Sequence, residues 1–154
     1  MVAAIEESKM HVQRWLVWLL AVPLLAAAAA GAQEYRKKAP EGARVYIISP
    51  QNGATVRSPV RVRFGLSGMG VAPAGVVKEK TGHHHVLIDT DAKDVDLSKP
   101  LPANDKIVHF GGGQTETMLE LAPGKHTLML VMGDENHVPF DPPVVSRKIA
   151  ITVK

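Results

Sequence analysis

No cysteine occurs anywhere in the 154 residues. That absence excludes disulfides, and with them an antibody-type domain pinned by a buried cystine. It excludes a type 1 copper site, which needs a thiolate, and a lipoprotein, which needs a cysteine after its leader. Aromatic residues are scarce at 5% of the chain. Beyond Ala32 they are Tyr35, Tyr46, Phe64, Phe110 and Phe140. The net charge is only +3, and the charges are interspersed. A chain with no basic stripe and so few rings offers no footprint for nucleic acid. Catalytic motifs are missing too. None of Ser49, Ser58, Ser67, Ser98 and Ser146 sits in a nucleophile elbow. The glycine run Gly111-Gly112-Gly113 lacks the Lys-Ser/Thr of a phosphate-binding loop. The acidic stretch Asp89 to Asp96 lacks the glycine and distal glutamate of a calcium loop.

One long apolar run is present. Met10 to Ala32 reads MHVQRWLVWLLAVPLLAAAAAGA. It has a cationic start (Lys9, Arg14), an apolar stretch from Trp15 to Ala30, and the small-x-small triplet Ala30-Gly31-Ala32 that signal peptidase accepts. The strictly apolar part falls short of the ~20 residues that a spanning helix prefers. The expectation is a signal peptide over residues 1–32, cleaved before Gln33, with Met10 a possible true start. A flexible lead over 33–43 and a single domain over 44–154 follow. Once cleaved, the chain has no membrane span and resides in the periplasm or outside the cell.

Helical periodicity is hard to find after Ala32, and the domain reads as short β runs separated by turns. Pro59 to Leu66 alternates, with Val60, Val62, Phe64 and Leu66 on one face and Arg61 and Arg63 on the other. That pattern predicts a strand with one face on a core and one in water. Strands are also predicted at Arg44–Ser49, His83–Asp89, Lys106–Phe110, Thr115–Leu121, Lys125–Met132 and Val145–Val153. Val62, Phe64, Leu119, Leu128, Leu130, Ile149 and Ile151 are the expected core. Six or seven such strands without a helix describe an all-β, immunoglobulin-like or fibronectin-like antiparallel β-sandwich. In the run Leu121-Ala-Pro-Gly124-Lys-His126-Thr-Leu128, His126 occupies a corner that often carries a tyrosine bonded back to the backbone. It is therefore read as structural.

Six of the seven histidines lie in this domain: His83, His84, His85, His109, His126 and His137. On a strand, His83 and His85 share a face, with Cα atoms ~6.6–7 Å apart. Two imidazoles so placed can converge on one ion. His84 points the other way, in line with Val86 and Ile88, toward the core. His109 and His137 come from other segments, and at least one of them is expected to join His83 and His85, so the candidate ligands are His83, His85, His109 and His137. Asp89 shares the His83/His85 face and is a candidate acceptor for an imidazole N–H. Without thiolate, an all-nitrogen set suits copper, zinc or nickel, and copper or zinc is the expected ion. Ligation needs neutral imidazole, so affinity is expected to fall below the reference histidine pKa of ~6.5. Met129 and Met132 read as core filler, whereas Met69 lies in a Gly-Met-Gly loop.

The runs TGHHHVLIDT (Thr81 to Thr90), HFGGGQTE (His109 to Glu116) and PGKHTLMLVMGDENHVPFDPPV (Pro123 to Val144) resemble the DUF4399 family, bacterial exported domains of unassigned function. The resemblance spans about Val45 to Val153 and implies no activity. Three readings remain open. The first is an exported module that binds a metal ion. The second is a non-catalytic interaction domain, with an envelope protein as partner and structural histidines. The third and least supported is a metalloenzyme resembling copper/zinc superoxide dismutase.

Overall fold

The computed structural model describes residues 36–154. The expected signal peptide lies outside them. Nine strands run in chain order: β1 (Arg44–Ser49), β2 (Thr55–Val56), β3 (Val60–Ser67), β4 (Gly70–Val71), β5 (Thr81–Ile88), β6 (Ile107–His109), β7 (Glu116–Leu119), β8 (Gly124–Gly133) and β9 (Ile149–Val153). Among the described residues there is no α-helix, only a 3-10 turn at Ala92–Asp94. None is long and apolar enough to cross a membrane.

The strands form two sheets. One has the order β1-β3-β7 and is antiparallel throughout. The other has the order β2-β9-β8-β5-β4, with β6 also on β5. It is mixed rather than purely antiparallel, because β2 and β4 pair in parallel with β9 and β5. A two-residue strand inside a turn-rich stretch carries no alternation, so neither was visible in the sequence.

The alternation of β3 buries Val60, Val62 and Phe64 and exposes Arg61 and Arg63. These side chains join Val45 and Leu119 from their own sheet. From the larger sheet come Val86, Ile88, Leu128, Leu130, Met132, Ile151 and Val153, in one apolar cluster. Of the expected core, only Ile149 is half-buried, packing at its margin. Met69 packs against this cluster as well.

β5 departs from the one-face rule, since every residue from Gly82 to Ile88 is buried. The cause is a second cluster of Leu87, Ala92, Leu101, Ile107, Met129 and Val131. By the two-residue period it covers the opposite face of β5 and β8. The even-numbered side chains of β5 meet the main core, and the odd-numbered ones, including His83 and His85, lie under the connecting loops.

From Arg36 onward the expected lead is tied to the domain. Lys38 bridges Asp141, the Ala39 N–H donates to the Asp141 carbonyl at 2.8 Å, and Lys37 pairs with Glu135.

Candidate metal centre

Four imidazoles meet on the loop-covered face of β5. His83 and His85 project together from that strand and are fully buried. His109, on β6, lies directly across from His85 in the antiparallel register. His137 arrives from the loop after β8. The six ring pairs have centroids 4.4–5.9 Å apart. One ring nitrogen from each residue can be chosen so that all four lie within 4.8 Å of one another. His83 Nε2 and His137 Nδ1 are 3.0 Å apart. An ion bound at ~2.0–2.1 Å would need nitrogens about 3.4 Å apart in a tetrahedron. The cluster is therefore slightly wider than a loaded site and would contract through side-chain torsions.

Two glycines make room for the rings. A Cβ at Gly111 would stand 2.4 Å from His109 Cε1, and one at Gly133 would stand 2.7 Å from His85 Cε1. Both glycines fall in the runs HFGGGQTE and PGKHTLMLVMGDENHVPFDPPV, but nothing in those runs says which ring each one accommodates. Their need becomes visible only when the histidine beside them is known.

Burial sets the electrostatics. It lowers the pKa of His83 to about 4, helped by His109, His137 and His84, and that of His85 to about 3, helped by His83, His109 and His137. The Val131 backbone opposes the His85 shift without forming a well-aligned hydrogen bond. His109 is lowered by burial and by His137. His83 and His85 are thus uncharged well below the reference value of ~6.5. Proton competition with an ion at these two imidazoles would begin in a more acidic range than at an exposed pair. His83 Nδ1, both nitrogens of His85 and His109 Nε2 are buried without a hydrogen-bond partner. Buried polar atoms are nearly always paired, so these four lone positions are unusual.

His84 does not join the cluster. It packs on Phe64 at a centroid distance of 5.0 Å in the main core, and its pKa is lowered to about 4 by burial. Its own nitrogens also lack well-formed partners, so orphaned atoms alone do not define the site. Convergence does.

His126 is structural. Its Nδ1 meets Asp89 Oδ2 at 2.7 Å and its Nε2 meets the Ala122 carbonyl at 2.9 Å. Both partners are acceptors, which requires both ring nitrogens to donate, as in imidazolium. The Asp89 bond, with that of Ala122, raises the pKa accordingly. Asp89 therefore does not serve His83 or His85. β5 ends at Ile88, and a left-handed φ of 50° turns Asp89 off the strand face. Its other oxygen accepts the Thr127 N–H at 2.7 Å.

A model of one protein family, described as a domain of unknown function, matches residues 62–154. The match begins inside β3 and covers all four clustered histidines. No curated protein and no solved structure matches the chain.

Proposed function

The chain belongs to the DUF4399 family, whose description assigns no activity, and we propose that it is an exported module that holds a transition-metal ion, copper or zinc, between His83, His85, His109 and His137. The observation that carries this reading is the convergence of four imidazoles from three separate segments within 4.8 Å. Four imidazole nitrogens without a thiolate suit copper or zinc, with nickel the other metal such a donor set takes. Four protein ligands also close a tetrahedral site, whereas zinc catalysis usually leaves one position open. For zinc, binding or delivery therefore suits the geometry better than hydrolytic turnover.

Strand order supports an immunoglobulin-like sandwich as the scaffold. The orders β1-β3-β7 and β9-β8-β5 correspond to strands A-B-E and G-F-C of that fold. His126, near the start of β8, bonds back to the Ala122 carbonyl, as a corner tyrosine does. Export rests on the apolar run and the Ala30-Gly31-Ala32 triplet.

The test is elemental analysis of untagged protein recovered from the periplasm, with a His83→Ala/His85→Ala pair as control. Intact mass on the same sample should correspond to a chain starting at Gln33. Near-stoichiometric copper or zinc in the wild type and none in the pair is the expected result. Equal metal content in both would replace this reading with the interaction domain.

A further inference from the structure

Three of the four clustered histidines are held by strand pairing, and one is not. His83 and His85 sit on β5 and His109 on β6, where ladder bonds set their places. His137 lies in the loop that follows β8, with a left-handed φ of 68°. A residue other than glycine adopts that conformation only where its surroundings enforce it.

The surroundings centre on Asp134. This residue is 3% exposed. Among the described residues no lysine, arginine or histidine forms an ion pair with it. Its carboxylate serves the backbone instead. Oδ1 accepts the N–H of Asn136 at 2.8 Å and that of Val138 at 3.0 Å. The main chain closes the same loop: the His137 N–H donates to the Asp134 carbonyl at 3.0 Å, and the Asp134 N–H donates to the Val138 carbonyl at 2.9 Å. The Leu101 N–H holds the His137 carbonyl at 3.0 Å from the other side. A buried carboxylate that gains no counter-charge and spends its oxygen on two amides flanking His137 is costly unless the turn it builds is needed.

Resting on the metal-binding reading above, the geometry assigns Asp134 as the positioning residue of His137, the group that brings the fourth imidazole to the three on strands and thereby sets how long an ion stays. Without the acceptor, two buried amides lose their partner. The turn can then relax out of the left-handed conformation, carrying the His137 ring away. An ion would be left on three imidazoles with water in the fourth position, the open arrangement of a labile site. The acceptor oxygen is what the turn requires, and the charge is not. Asparagine presents the same oxygen to the same amides, whereas serine, one atom shorter, reaches one of them at best.

The experiment loads the domain with Zn(II) and follows its release to a chelator, and loads a parallel sample with Co(II) and records its visible absorption. Asp134→Ala should release zinc about 10–100-fold faster, the range typical for groups that orient a metal ligand. Its Co(II) spectrum should shift toward that of His137→Ala. Asp134→Asn should match the wild type in both readouts, with Asp134→Ser between Asn and Ala. Adding Asp134→Ala to His137→Ala should change release no further. An Asp134→Ala protein with wild-type release and spectrum overturns the assignment. So does an equal acceleration in the His137→Ala background, which would mark a general loss of rigidity. If Asp134→Ala does not fold, the Asn and Ser variants decide, and serine equal to asparagine overturns the assignment. Absence of zinc and cobalt uptake by the wild type would instead overturn the metal-binding reading itself.

Discussion

Histidine serves three different purposes within this one domain, and the surroundings decide which. His83 and His85 are buried among other imidazoles and are uncharged, which is the ligating form. His84, between them, is apolar packing against Phe64. His126 is clamped between a carboxylate and a carbonyl, which favours its charged form. Titration calorimetry with Zn(II) at pH 7.5 should therefore separate them. His83→Ala, His109→Ala and His137→Ala should each weaken binding at least about 10-fold, since second-layer changes alone cost that much, while His126→Ala should bind like the wild type. His126 also makes a signed prediction for stability. Its pKa is raised in the folded state, first by Asp89 and then by the Ala122 carbonyl. Its contribution is therefore complete below the unfolded value of ~6.5 and is lost as pH rises through the folded value. Urea midpoints of the wild type and His126→Ala should differ by about 1 kcal/mol of stability at pH 6 and draw together as pH rises into the alkaline range. A gap that widens with pH would contradict the pairing.

At the scale of elements, β3 and β5 illustrate two kinds of strand. β3 alternates because its outer face meets water, and the alternation identifies its core residues directly. Phe64 sits where it contacts both Phe110 and His84, with centroids 5.0 Å away in each case. Phe64→Ala would open a cavity beneath the larger sheet and should cost about 3–5 kcal/mol in chemical denaturation. A loss under 1 kcal/mol would mean that the two sheets do not share this core. β5 is covered on both faces, so one side can carry the main core while the other carries the clustered histidines. That double burial keeps His83 and His85 dry enough to stay neutral. It also explains why small residues flank the site, since Gly111 and Gly133 lie where a Cβ would collide with an imidazole.

For the molecule as a whole, the buried imidazoles link stability to pH and, on the metal-binding reading, to an ion as well. The folded pKa values of His83 and His84, lowered to about 4, and of His85, lowered to about 3, lie below the unfolded reference. Each contributes stability that is present above ~6.5 and is lost as pH falls toward those values. The metal-free protein should become progressively easier to unfold between pH 7 and pH 4. His84→Leu, which removes one such group without touching the cluster, should show a shallower decline. An equal slope in the two proteins would count against the burial of His84. An ion that binds only the folded form adds RT ln(1 + [L]/Kd), about 2.7 kcal/mol at a hundredfold excess over Kd. Removing the metal should lower the melting temperature of the wild type and leave that of His83→Ala/His85→Ala unchanged.

What was legible in the sequence is what the local backbone dictates. The two-residue period of a strand puts His83 and His85 on one face and His84 on the other. Alternation marks β3, and turn chemistry places His126 at a corner. These follow from covalent geometry over a few residues, so no partner needs to be known. Tertiary structure alone decided the remainder. The register that sets His109 opposite His85 depends on a strand more than twenty residues away in the chain. The left-handed turn that aims His137 depends on Asp134 and on what lies around it. Asp89 looked like a partner for the ligand face by parity, but one positive φ after Ile88 hands it to His126. The second apolar cluster that buries β5 on its other side is assembled from segments that no period connects. Apart from the Asp134 bonds, which lie within one loop, these rest on contacts between distant segments, whose energies exist only once the sheets have formed.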